Sequence, residues 1–174
     1  HEAGLPDGVI NLVHGKGSGA GQDLVDAVDL GMINKISFTG STAVGKMIGE
    51  VCGRNLVSAS LELGGKNPLV IMPSADMENA VEGAYWSAFG TAGQRCTSLG
   101  NLIIHEDIYD EFVEKLMVKV KSTTIGDSMV HENVLYGPML SARYAKDFLR
   151  DLQMCDTSGA TKLWGEGMIT EDNK

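Results

Sequence analysis

KISFTGSTAVGKMIGEV, residues 35–51, decides the fold. Its first five residues, Lys35–Thr39, include β-branched and aromatic side chains and read as a strand. Gly40 interrupts the run, and Ser41 supplies the side-chain oxygen of a helix cap. Val44, Ile48 and Val51 then recur on one helical face. A strand passing through a tight turn into a helix is the building unit of a parallel sheet. The junction also offers free N–H groups and the positive end of a helix dipole, both suited to a phosphate. Gly40–Met47 comes within one residue of the GxxxxGK[ST] phosphate loop. Met47 replaces the hydroxyl that would hold Mg²⁺, which disfavours a nucleotide hydrolase without removing phosphate contact. A plain capped helix is the competing reading.

The same alternation extends in both directions. Upstream, Val9–Val13 is a short β-rich run after LPDG, and Gly15, Gly17, Gly19 and Gly21 open a helix carrying Leu24, Val25 and Val28. Gly15–Ala20 fits a loose GxGxxA dinucleotide fingerprint, but the acid expected after the next strand is missing from KISFT. A glycine-rich turn without a ligand fits as well. Downstream, Val57–Leu63 and Pro68–Met72 read as strands on either side of Gly64–Gly65, the best internal domain boundary. Asp76 is placed to cap a helix through about Phe89, with Ala80, Ala84 and Ala88 on one face. Leu102–His105 is a strand, and Asp107–Lys121 is an amphipathic helix with Ile108, Phe112, Leu116 and Val120 inward. YGPM, ending at Met139, reads as a turn, Ser141–Gln153 as a last helix, and Lys162–Trp164 as the start of another strand. Alternating strands and helices predict an α/β fold with mainly parallel sheets.

Composition narrows the function classes. Apolar residues make up 43% of 174, enough for a packed core. The apolar runs are far shorter than the ~18 residues of a membrane span. A net charge of −9, with Lys115, Lys119 and Lys121 interspersed with Glu111 and Glu114, argues against a nucleic-acid surface. The three cysteines, Cys52, Cys96 and Cys155, are odd in number and widely spaced, with no zinc-ligand pattern. At least one free thiol and no visible signal peptide point to the cytoplasm. Both ends read as cut, which predicts an internal piece of a longer chain.

Two residues stand out chemically. Glu62 is a carboxylate inside the apolar run LELGG. In a cleft it would serve as a general base; otherwise it pairs with Lys66 or Lys46, or faces water. Cys96 lies in GTAGQRCTS, a polar loop unlike the surroundings of a core cysteine. A reactive thiol needs partial exposure and electropositive surroundings, which Arg95 and the loop amides could provide; a buried structural thiol is the alternative. Cys52 and Cys155 fall within helical patterns and are assigned to packing. A Cys/His hydrolase would need His14, His105 or His131 as its base, and no local context selects one.

Taken in order, EAGLPDGVINLV, ISFTGSTAVGK, LELGGKNPLVI, GTAGQRCTS and YGPM resemble the aldehyde dehydrogenase superfamily. Glu62 and Cys96 stand 34 positions apart, from 62 to 96, the separation usual between that family's general base and nucleophile. The resemblance thins after Met139. It implies the end of a Rossmann-like cofactor domain, residues 1–62, followed by the first part of an α/β catalytic domain, residues 63–174. It implies that Gly40, Ser41, Thr42 and Gly45 line the phosphates of NAD, with NADP an alternative, that Gly15 lies near the adenosine side, and that Leu63 lies near the nicotinamide.

The resemblance further implies Cys96 as nucleophile and Glu62 as base. The thiolate would form a thiohemiacetal with an aldehyde, with the oxyanion held by the Cys96 N–H and a side-chain amide. Hydride transfer would leave a thioester, and Glu62 would activate the water that hydrolyses it. The family's oxyanion Asn and its downstream E-x-F-G-P segment have no match here, so the 174 residues alone are expected to be inactive. The implied partners are a small aldehyde and further copies of the chain, as a homodimer or homotetramer, with no nucleic acid, membrane or metal. A non-catalytic member of the fold and a P-loop-like nucleotide module are the alternative functions. NVLYGP and GTAGQRCT resemble semialdehyde dehydrogenases of lysine catabolism, whereas LELGGKNP is equally like broad-specificity members.

Overall fold

The structure, a computed structural model, describes residues 3–165. Glu2, in the first of the matching strings, and residues 166–174 at the end of the last expected region lie outside the described residues. The chain divides into two compact units, His1–Gly64 and Gly65–Lys174.

The first unit contains α1 (Gln22–Asp29), β1 (Lys35–Gly40), α2 (Thr42–Arg54) and β2 (Ser58–Leu63). The two strands pair in parallel with Lys35 opposite Ser58 and Gly40 opposite Leu63. A parallel pair needs a crossover, and α2 supplies it. Val25 and Val28 of α1 meet Ile48, Val51 and Cys52 of α2 in the core, with Ile36, Phe38, Ala59 and Leu61 packed against them. Leu24 and Val44, expected on the same faces, are exposed at the margins. At the far end of the helix pair, Arg54 donates from Nε and Nη2 to the Asp29 carboxylate at 3.1 and 2.6 Å, and Asn55 adds a third donor at 2.6 Å. These bonds hold the Asp29 carboxyl below the usual carboxylate range, with Arg54 the larger cause and Asn55 the next.

The second unit contains β3 (Asn67–Ile71), α3 (Met77–Phe89), β4 (Leu99–Ile104), α4 (Tyr109–Lys121) and α5 (Ala142–Thr157). Asp76 caps α3, accepting from the Asn79 N–H at 2.9 Å. β3 and β4 are parallel neighbours. Phe112 of α4 is fully buried against Ile71, Val81 and Ala84, with Ile108 and Leu116 beside it. The period-3.6 reading of α4 is therefore correct, although its first residues, Glu106–Ile108, form a separate tight turn.

Four expectations need correction. Val9–Val13 forms no strand, and Val9, Ile10, Leu12 and Val13 are exposed. β propensity alone does not make a strand without a hydrogen-bonding neighbour. Lys162–Trp164 is irregular for the same reason; the Trp164 ring instead sits 5.3 Å from the Lys121 ammonium. Tyr136 is no simple turn residue but bridges Ile125 in parallel. Cys155 is not a packing residue: α5 buries none of its side chains, and Cys155 is exposed with Phe148 and Met154. Cys52 is buried as expected. Among the described residues no helix is long and apolar enough to cross a membrane.

Candidate functional site

In the first unit the singled-out residues gather at the carboxyl end of the parallel pair. Thr39 lies opposite Glu62 and Gly40 opposite Leu63, and α2 starts immediately beyond. Loops and helix starts outside the carboxyl ends of parallel strands are where α/β sheets receive ligands. Ser41 caps α2, its Oγ accepting from the Val44 N–H at 3.3 Å. That uses one orphan N–H of the first turn, and the remainder of the turn is suited to an anion. Gly45 is buried because Leu63 presses on it: a Cβ there would stand 2.5 Å from Leu63 Cδ2. Only glycine permits this approach, so Gly45 fixes how closely the helix start lies over the end of β2.

A cavity of about 350 Å³ opens beside this junction, lined by Gly17, Gly21, Leu24, Val44 and Met47 among others. It is largely apolar and reaches Val44 in the first turn of α2. Met47 serves it as a wall, not as a metal ligand. Gly15 does not line it; Gly15 packs on Ala20, where a Cβ would collide with the Ala20 methyl. Glu62 is exposed, and within the first unit's described residues it has no ion-pair partner, Lys46 included.

Cys96 lies in the second unit and is exposed. Two features shape its loop. Before it, Thr91, Ala92 and Gly93 all have positive φ, at 58°, 54° and 67°. The left-handed region is costly for Thr91 and Ala92, and such strain concentrates at functional loops. Gln94 steadies the loop, its Oε1 accepting from the Leu140 N–H at 3.2 Å. After this, Arg95–Ser98 closes as a turn: the Ser98 N–H donates to the Arg95 carbonyl at 3.1 Å, and the Arg95 N–H donates to Ser98 Oγ at 3.2 Å. Ser98 is buried. Among the described residues the N–H groups of Cys96 and Thr97 have no partner.

Arg95, the expected source of positive charge for Cys96, has its guanidinium bound at the end of α3. Its guanidinium donates to the Trp86 carbonyl at 3.2 Å and lies 5.7 Å from the centre of the Trp86 ring. Attraction of the cation to the indole face holds it on the end of α3. His105 accepts from the Asp107 N–H at 3.3 Å, and among the described residues neither it nor His131 is hydrogen-bonded to Cys96. The residues that sequence reading missed are Asn67, whose amide reaches the Cys96 loop, and Ser98, which closes the turn. The Asn-Pro step of GGKNP was the available signal for the first.

The sequence pattern of the aldehyde dehydrogenase family matches residues 1–174. Alpha-ketoglutaric semialdehyde dehydrogenase of Bacillus subtilis is 42% identical over 164 residues, covering 94% of this chain and 33% of that protein. Phenylacetaldehyde dehydrogenase of Pseudomonas fluorescens is 40% identical, also over 164 residues, covering 94% of this chain and 32% of that protein. Among solved structures, betaine aldehyde dehydrogenase from Staphylococcus aureus in complex with NAD⁺ is similar with a TM-score of 0.88 at 31% identity, over 99% of this chain and 33% of that one. A salicylaldehyde dehydrogenase from Pseudomonas putida G7 complexed with salicylaldehyde gives a TM-score of 0.88 at 32% identity, over 95% and 34%. The chain thus spans about a third of the length of the relatives it matches.

Proposed function

The chain belongs to the aldehyde dehydrogenase family, and from that premise we propose that it carries the nucleophile, the general base and part of the cofactor site of an NAD(P)⁺-dependent oxidation of an aldehyde to a carboxylic acid. Residues 1–62 are then the end of the cofactor domain and residues 63–174 the beginning of the catalytic domain.

The observation that carries this reading is the Cys96 turn. An exposed thiol is paired with two unpartnered backbone N–H groups, its own and that of Thr97. The Cys96 thiolate attacks the aldehyde carbon, forming a C–S bond while the carbonyl electrons move to oxygen. Amide N–H groups stabilise the resulting oxyanion. The bound nicotinamide would supply the hydride acceptor, and loss of hydride from the Cys96 adduct would leave a thioester. Glu62 then takes a proton from water, the hydroxide adds to the thioester, and the Cys96 thiolate leaves with the acid formed.

The first unit fits the cofactor. Gly40, Ser41, Thr42 and Gly45 form the helix start that would hold its phosphates, and the cavity bounded by Gly17, Val44 and Met47 suits an aromatic base. Gly15, packed on Ala20, lies toward the adenosine side, and Leu63 borders the carboxyl end of the sheet, toward the nicotinamide.

Glu62→Gln in the whole protein tests the division of labour. Steady-state turnover is expected to fall about 100-fold, the loss of a general base, while the first-turnover burst of NAD(P)H persists and intact mass shows acyl-enzyme. Steady-state turnover unchanged across pH removes Glu62 from the reaction.

A further inference from the structure

We propose that Asn67 is a positioning residue for Cys96, holding the peptide plane on one side of the thiol while the turn holds the other. The proposal rests on Cys96 being the nucleophile. The Asn67 side-chain amide donates to the Cys96 carbonyl at 2.7 Å and to the Ser98 carbonyl at 2.9 Å. Both protons of one NH₂ group are thus spent on the segment that leaves Cys96.

The geometry defines what this does. The direction of the Cys96 Cα–Cβ bond follows from the two peptide planes that flank it. The Arg95–Cys96 plane is fixed by its carbonyl, which accepts from the Ser98 N–H at 3.1 Å. The Cys96–Thr97 plane is fixed by its carbonyl, which accepts from Asn67. With both planes held, φ and ψ of Cys96 are set, and only the rotation about χ1 remains to the thiol. Each bound carbonyl also polarises its own peptide, which strengthens the N–H at the other end as a donor. Those N–H groups belong to Cys96 and Thr97.

Asn67 is itself held by an irregularity in the sheet. The register between β3 and β4 shifts after it, so that Asn67 faces Leu99 while Pro68 faces Asn101. Pro68 has no N–H to give the ladder. Gly100 takes up the extra residue, and a Cβ there would lie 2.7 Å from Lys66 Cα. Asn101 returns a bond, its Nδ2 donating to the Lys66 carbonyl at 3.3 Å. The bulge draws the backbone around Lys66 against the start of β4 and brings the Asn67 amide to the Cys96 loop.

The test uses three variants of the whole protein. Asn67→Asp keeps the shape but puts an acceptor against two carbonyls, Asn67→Ala removes the group, and Asn67→Ser retains one donor. Asn67→Asp and Asn67→Ala should slow the first-turnover NAD(P)H burst about 100-fold, the cost of a displacement near 1 Å at a reacting atom. The KM for the nucleotide should stay within about twofold, because that cost falls on the reacting atom and not on nucleotide binding. Asn67→Ser should fall between them and the parent. Amide exchange of segment 94–101 should accelerate in Asn67→Ala while α4 is unchanged. A burst within twofold of the parent in both Asn67→Asp and Asn67→Ala overturns the proposal, as does a loss accompanied by an equal rise in nucleotide KM. Cys96→Ser at the parent rate would instead defeat the nucleophile reading; exchange of segment 94–101 would then decide the clamp, acceleration supporting it and no change refuting it.

Discussion

The two units hold their candidate residues by opposite means. In the first, the site is made of backbone: a capped helix start, two glycines and the ends of two strands. In the second, an irregular loop with left-handed residues carries the thiol, held by the Asn67 side chain and by the Leu140 N–H, from which the loop's own Gln94 accepts. A backbone site needs few particular side chains because every residue brings an N–H. A nucleophile needs one atom in one direction, so its loop requires external struts.

This contrast orders the expected effects. Cys96→Ser in the whole protein should lower aldehyde oxidation at least about 1,000-fold, since a hydroxyl is a far weaker nucleophile than a thiolate at neutral pH. Nucleotide binding, measured by fluorescence, should be unchanged, which would keep the functions of the two units separate. Loss of nucleotide affinity in the same variant would break the comparison. Gly45→Val should be the most damaging change on the first side. The added atoms meet Leu63, and overpacking of this kind costs about 1–3 kcal/mol. Denaturant unfolding should show that loss, with weakened nucleotide binding and little change in the intrinsic alkylation rate of Cys96.

Ser41→Ala tests the backbone site more finely. Loss of the cap should cost about 1 kcal/mol, and nucleotide affinity should fall only modestly, because the N–H groups that meet the phosphate remain. A severe loss of affinity would show that the Ser41 side chain itself contacts the ligand. The smallest effect belongs to Asp29. Its folded pKa is depressed by Arg54 and Asn55, so the stability it adds is present above the unfolded value of ~3.9 and is lost as pH falls through the lower folded value. Asp29→Asn should flatten that part of the acid dependence of the melting temperature. Because the group is exposed, the change should be slight at neutral pH.

Much of this was legible in the sequence because it rests on short-range rules. Strand-turn-helix order, the Ser41 and Asp76 caps, and the inward face around Phe112 depend on residues within one or two turns of each other. Gly40, Ser41 and Gly45 could be singled out as candidates for the same reason, being nearly contiguous; the parallel register then brings Glu62 and Leu63 beside Thr39 and Gly40. The failures were long-range. Val9–Val13 and α5 carry patterns of buried elements but meet nothing among the described residues that buries them. That the Arg95 guanidinium is engaged by Trp86, nine residues earlier, was equally beyond local pattern.

By itself, then, the sequence determined the α/β order, the break at Gly64–Gly65, and the identity of Cys96 and Glu62 as the residues to ask about. Tertiary structure alone decided how the Cys96 loop is held. Asn67 is 29 positions from Cys96, and the register shift at Pro68 and Gly100 brings its amide within 2.7 Å of the Cys96 carbonyl. Local propensity contains no term for that contact, because it forms only after two strands have paired and one of them has bulged.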